Sequence, residues 1–436
     1  MKTSSCPHPS SDRENRVCTH LLEQADSNYV LYLSGHGQSY HLLCSSCAEQ
    51  VKTGQTPSLS AVCSDCFQHI EEDGYCKGIF GQPEVCPRPS MASMTHQTLE
   101  LPGLRAQDLI GMQPLQHLPA CEWVGLTHTG ALVHIDFDRQ EVSTIMTLGS
   151  SPLDLTKSLS MVLAPDGHFA ALANTFGELG LVVDLRTGEV AMPLRREPYH
   201  EDVSAFSIAF FRHDNVTLLI HATEWNRLDI SNPATGECLT AREWEEPSSD
   251  DEPMKHGLDF FHGDLLVSPQ GSWIADDGWI WHPVGCINCW SLDRWIEENP
   301  WESEDGESLQ GLFYREYFWG GPMCWVDERR LAVWGYGEQV DWMAPAVRIF
   351  DVVENKEIRW FAGVEANSLV FGEHLFALSQ EKGLSAWDPD DGSCLFRDPT
   401  ITPIAYDRGS KTFLSMLPDG QFRLSSFEQS AKEARS

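Results

Sequence analysis

Ala164-Pro165-Asp166-Gly167-His168-Phe169, Ser268-Pro269-Gln270-Gly271-Ser272-Trp273 and Leu417-Pro418-Asp419-Gly420-Gln421-Phe422 are three renderings of one phrase. In each, proline presets φ for a turn, glycine supplies a left-handed position, and an aromatic residue opens an extended run. A second phrase closes one strand on a polar turn and opens the next. It recurs as Val183-Asp184-Leu185-Arg186-Thr187-Gly188-Glu189, Ile230-Ser231-Asn232-Pro233-Ala234-Thr235-Gly236-Glu237, Phe350-Asp351-Val352-Val353-Glu354-Asn355-Lys356 and Trp387-Asp388-Pro389-Asp390-Asp391-Gly392. Between the phrases lie short β-rich runs: 181–183, 217–220, 331–334 and 347–350. Turn signals at short spacing between such runs predict an all-β repeat.

The turn acids Asp136, Asp184, Asp229, Asp293, Asp351 and Asp388 recur at intervals of 37 to 64 residues. A four-stranded propeller blade takes roughly 40–45 residues, and insertions lengthen it. The repeat predicts seven blades, at 120–150, 158–195, 204–245, 263–300, 317–362, 365–398 and 402–428. The last lacks an obvious outer strand, while Thr98-Leu99-Glu100-Leu101 stands unassigned before the first. A ring hides its edges only if it closes, so this N-terminal segment is expected to complete the last blade. The two longest intervals hold acidic insertions at 240–260 and 295–316, the second beside a helix-like stretch at 292–298. Residues 97–428 resemble a WD-repeat or related seven-bladed β-propeller, and Ser385-Ala386-Trp387-Asp388 matches the family's WD dipeptide at the end of a third strand. Only this blade carries the dipeptide, and no Gly-His phrase precedes the blades in register.

Cysteine usage divides the chain. Of 14 cysteines, eight precede residue 90. Two C-x-x-C pairs, Cys44/Cys47 and Cys63/Cys66, follow two C-x-H pairs, Cys6/His8 and Cys18/His20. A C-x-x-C knuckle offers two thiolates from one turn, and two such pairs close a tetrahedral zinc site. After His20 comes a hairpin pattern, 29–33, a Gly35-His36-Gly37 turn and 40–43, and then a helix-like stretch from Ala48. Ligand pair, hairpin, ligand pair and helix is the order of a treble-clef zinc finger. The candidate zinc ligands are therefore Cys18, His20, Cys44, Cys47, Cys63 and Cys66. Their pairing is open. Cys18/His20 with Cys44/Cys47 forms one site, with Cys63/Cys66 seeking partners among Cys76, Cys86 and Cys6/His8; alternatively the four C-x-x-C cysteines close a single site. Four protein ligands at each site point to a structural metal. The reading is mainly β: a small zinc-binding α+β module of one or two zincs at 1–90, a linker at 91–96 and a β-propeller at 97–430.

The formal charge is −34. That disfavours nucleic acid as a partner of the propeller, since a polyanion requires a basic footprint. No apolar run reaches the length of a membrane span, and the N-terminus lacks the apolar core of a signal peptide, so a cytoplasmic protein without membrane association is expected. Cys286-Ile287-Asn288-Cys289 sits in a strand, where residues three apart face oppositely, so buried structural cysteines are expected. Lys255, His256, Asp259, His262, Asp264, Asp276, Asp277 and His282 form the most polar cluster, which could meet at a propeller mouth. The expected function is a non-catalytic protein-interaction scaffold with a protein partner, a basic one on the charge argument. The alternative is a propeller enzyme, for instance a hydrolase, working at that mouth.

Overall fold

The computed structural model describes residues 15–23, 28–34, 39–81, 93–149, 151–243, 256–281 and 283–427. Seven small antiparallel sheets follow one another along the chain. They occupy 109–147, 159–195, 208–231, 261–316, 323–362, 368–398 and 405–427, and their first strands neighbour one another around a ring. The chain is a seven-bladed β-propeller. Burial follows a strand's place in the blade, with middle strands packed on both faces and outer strands open to solvent. The second strand of blade 2, Phe169–Asn174, is buried throughout, while the outer strand Glu189–Arg195 is mostly exposed. Core clusters lie between adjacent blades: Phe210, Phe211 and Leu219 of blade 3 pack with Ile274 and Trp290 of blade 4.

The ring closes through the N-terminal segment. Strand Met94–Leu99 pairs antiparallel with Phe422–Phe427 as the outer strand of blade 7. The strand begins at Met94, inside the stretch 91–96 read as a linker. Blade 1 starts at Leu109 rather than at 120, because its inner strand Leu109–Pro114 carries no turn phrase. Blade 4 extends to Glu316, beyond the expected 300, because the second acidic insertion lies inside the blade, between its third and outer strands. In blades 2 and 4 the Pro-x-Gly phrase joins the first strand to the second, but in blade 7 it joins the second to the third. All three turns share one geometry, with Gly167, Gly271 and Gly420 at φ 71°, 84° and 90°. The phrase encodes a turn, not a position in the blade.

Trp387 ends the third strand of blade 6, buried, and its indole donates to Ser385 Oγ at 2.8 Å. Asp388 opens the turn by accepting from the Asp390 amide at 2.8 Å. The WD dipeptide therefore falls at the end of a blade's third strand, as the resemblance implies.

The N-terminal module is a five-stranded sheet ordered β4-β1-β3-β2-β5, from β1 (Asn15–Cys18), β2 (Asn28–Ser34), β3 (Ser39–Leu43), β4 (Leu59–Val62) and β5 (Tyr75–Phe80). Three helices, α1 (Thr19–Glu23), α2 (Ser45–Lys52) and α3 (Ser64–Asp73), complete it. The module has its own core, with Val17, Leu42, Leu43 and Val62 fully buried. It docks on blade 5, where Leu33, Tyr40 and Ile79 pack with Tyr336, Ala344, Ala346 and Trp360. Among the described residues, no helix is long and apolar enough to cross a membrane.

Candidate functional site

Strand register assembles the first cluster. β1 and β3 are parallel neighbours, Val17 opposite Leu42, so both strands deliver their C-terminal ends to one edge of the sheet. Cys18 ends β1 and His20 follows in α1; Cys44 caps α2 and Cys47 lies in its first turn. The four ligand atoms lie within 4.8 Å of one another. His20 Nδ1 is 3.2 Å from Cys47 Sγ and 3.7 Å from Cys44 Sγ. A tetrahedral zinc site with bonds of roughly 2.3 Å has ligand separations of roughly 3.8 Å. The donors thus fit a metal ion, and three sulfurs with one imidazole suit a soft or borderline one. The Cys44 amide donates to Cys18 Sγ at 3.1 Å, a hydrogen bond that favours thiolate. Burial raises the Cys18 thiol, and burial together with the Cys44 thiol pushes Cys47 up to about 12. A bound dication would reverse that balance.

Cys63 and Cys66 are not part of this cluster. β4 runs antiparallel to β1, so its C-terminal end, and Cys63 with it, lies at the start of β1, the opposite edge of the sheet. A single site built from both C-x-x-C pairs is thereby excluded. Cys6, His8, Cys86 and His36 lie outside the described residues. His41 sits in β3 with its ring near Tyr32, and His69 in α3, both away from the four donors.

Of the polar residues of 256–282, His262, Asp264, Asp276 and Asp277 are neighbours in blade 4: Asp264 lies in register opposite Asp277, and burial together with the nearby Asp276 raises its pKa. His262 Nδ1 is 2.6 Å from Asp276 Oδ2, with both residues buried in blade 4. Asp277 pairs with Arg315 at 2.6 Å, again fully buried, and accepts the Gly321 amide at 2.9 Å. His256 stands apart, bonded to Asp305 and stacked on Trp301. Lys255 and His282 lie outside the described residues. Cys286 and Cys289 are buried and form no disulfide. In the second acidic insertion, Glu302 and Glu304 are buried, the first accepting from Ser308 and the second from Arg242. The other acids of that insertion, among them Glu297, Glu298, Asp305 and Glu307, remain exposed.

An aromatic surface was hidden within the Trp-rich sequence. In a propeller, the connections between blades and those between second and third strands emerge on one face. The connections after blades 2 and 4 carry Tyr199, His200, Tyr317 and Trp319, and the second-to-third turns of blades 3 and 4 carry Trp225 and Trp281. Apart from that of Tyr317, their rings form a continuous run. Phe261 stacks on Trp279 at 4.2 Å, Trp279 on Trp281 at 5.6 Å and on Trp319 at 5.3 Å, and His200 meets Trp281 at 5.3 Å. Tyr199 and Trp281 are each 49% exposed and Tyr317 62%. Composition could not separate these from Trp290, Trp295 and Trp325, which are buried; position in a second-to-third turn is the signal that does.

No family model matches the chain, and no curated protein matches it. Solved propellers do resemble it. A chain of the mitotic checkpoint complex is 12% identical with a TM-score of 0.49, over 80% of this chain and 95% of its own. The WD40 repeats of RRP9 are 10% identical with a TM-score of 0.49, over 79% of this chain and 100% of theirs. U3-55K is 10% identical with a TM-score of 0.49, over 78% of this chain and 100% of its own.

Proposed function

We propose that this chain is a non-catalytic protein-interaction scaffold, in which a zinc-stabilised module rides on an acidic propeller that presents an aromatic face to a partner protein. The observation that carries the reading is exposed Tyr199 and Trp281 on a continuous aromatic run, with exposed Tyr317 on the same connection as Trp319. Exposed aromatics backed by rigid rings are what binding hot spots are made of, and a contiguous apolar patch on a soluble surface marks an interaction site. The turn holding Tyr336 to Ala344, where the module docks, emerges on the same face. Zinc is the metal proposed for Cys18, His20, Cys44 and Cys47, because four protein donors of this kind make a closed structural site. The charge of −34 supports a partner with a basic surface and disfavours nucleic acid on the propeller. Thiolate ligation supports a reducing compartment, and we place the protein in the cytoplasm.

The test is a quantitative pull-down with the full chain, comparing wild type with Tyr199→Ala/Trp281→Ala. Partners captured by the wild type should fall at least about tenfold with the variant, an expected hot-spot loss, while its thermal midpoint stays unchanged. An identical partner set with both proteins overturns the assignment of this face.

A further inference from the structure

A cavity of about 520 Å³ lies where the N-terminal module meets blade 5. The module supplies Tyr29 from β2, Tyr40 from β3 and Glu71 from α3. The propeller supplies Tyr336, which ends the second strand of blade 5, Arg330–Tyr336, and Glu338 from the turn after it. Small ligands bind in clefts of this size at domain boundaries, where a few polar groups converge.

The wall is aromatic and acidic. The rings of Tyr40 and Tyr336 lie 6.0 Å apart, their planes inclined at 49°. Trp360 packs 4.4 Å from Tyr336 and 6.0 Å from Tyr40. The Tyr40 hydroxyl donates to Glu71 Oε1 at 3.0 Å, which uses one of roughly four acceptor positions on a carboxylate. Burial raises the Glu71 carboxyl above its ordinary value, against a single lowering contact, that same hydroxyl. Burial also raises the hydroxyls of Tyr29, Tyr40 and Tyr336, so all three stay neutral. Among the described residues of the lining, the cation is Arg348, and its charge is already met. Its Nε donates to Glu357 at 2.6 Å, and its guanidinium lies 4.1 Å over the Phe313 ring. Glu71 and Glu338 are left as the uncompensated charges of the lining.

We propose that this cavity binds an alkylammonium group, the chemistry shared by a lysine side chain and a free diamine. The carboxylates accept its N–H bonds, and the tyrosine faces cover the methylene stem and attract the charge. A quaternary ammonium gains the ring faces but has no N–H to give, so a primary amine is preferred. The cavity is separate from the aromatic face of blades 3 and 4, and the proposal stands whether or not that face binds a partner.

Isothermal titration of the full chain with cadaverine, with a capped tripeptide bearing a central lysine and with tetramethylammonium tests this. Cadaverine should saturate at one molecule per chain, and tetramethylammonium should bind at least about tenfold more weakly. Glu71→Gln, which keeps an oxygen for Tyr40, and Glu338→Gln should each weaken cadaverine about tenfold or more, the loss of a charged hydrogen bond. Glu338 is exposed, so its variant keeps the fold and decides the matter even if Glu71→Gln unfolds the module. Glu298→Gln/Glu307→Gln, on exposed acids of blade 4, should bind as wild type does, which separates a site from diffuse attraction to an acidic chain. Saturation by the tripeptide as well admits a lysine side chain as the source; saturation by cadaverine alone confines the site to free amines. The proposal is overturned if neither amine saturates, if Glu338→Gln binds like wild type, if Glu298→Gln/Glu307→Gln loses as much, or if tetramethylammonium binds as tightly as cadaverine.

Discussion

Leu99, in the strand that precedes blade 1, lies in register opposite Phe422, in the third strand of blade 7. Both are buried, in one core cluster with Trp123 and Phe137 of blade 1. The pair joins the two ends of the propeller's sequence and covers the outer side of the third strand of blade 7.

Deleting residues 1–101 should therefore cost far more than deleting 1–92. Re-exposing Leu99 alone forfeits about 2 kcal/mol, and the six register pairs of Met94–Leu99 add to it. The thermal midpoint of the longer deletion should fall by several degrees relative to the shorter one, with concentration-dependent association through the uncovered strand. Equal midpoints and a monomeric longer deletion would contradict the closure.

Asp277 and Arg315 form a fully buried ion pair. Asp277→Ala leaves the guanidinium uncompensated and should cost about 3–5 kcal/mol. The double variant Asp277→Ala/Arg315→Met should recover most of that loss, because two desolvated charges leave together. Urea unfolding of the four proteins of the cycle measures this. Strictly additive losses would show that the pair is not coupled.

Asp166 links blades 2 and 3 by accepting from Thr217 Oγ1. Burial works to raise its pKa, but the Thr217 hydroxyl, the His168 amide and the charges of His168 and Arg212 outweigh burial and hold it below the ordinary carboxylate value. A depressed folded-state pKa contributes stability that is present above the unfolded value of about 3.9 and is lost as pH falls through the folded value. Asp166→Asn should thus cost about 1 kcal/mol near pH 7, and the difference from wild type should shrink below about pH 4. A gap that is constant from pH 7 to pH 3 would sink the assignment.

Cys238 is exposed, whereas Cys286, Cys289 and Cys324 are buried. Burial raises the Cys289 thiol well above its usual range and pushes Cys324 up to about 12. Since only accessible thiolate reacts, alkylation of the native protein should mark the Cys238 peptide first. The three buried sites should react at least about a hundredfold more slowly, through unfolding. Peptide mapping by mass spectrometry reads this directly, and early modification of Cys289 would place that strand at the surface.

By itself, the sequence determined what depends on near neighbours. Proline and glycine at fixed offsets prescribed the turns, β-rich runs between them prescribed the blades, and C-x-H and C-x-x-C spacings prescribed which side chains could share a metal. Tertiary structure decided what depends on strand order. The opposite directions of β3 and β4 beside β1 send Cys44/Cys47 to one end of the module and Cys63/Cys66 to the other. No spacing along the chain encodes that direction, because parallel and antiparallel neighbours read alike as short apolar runs. The same holds for Trp281 and Trp290, nine residues apart in one composition. One lies on a turn at the open face and the other within a strand between blades, and only the assembled ring distinguishes a ring that packs from a ring that is offered to a partner.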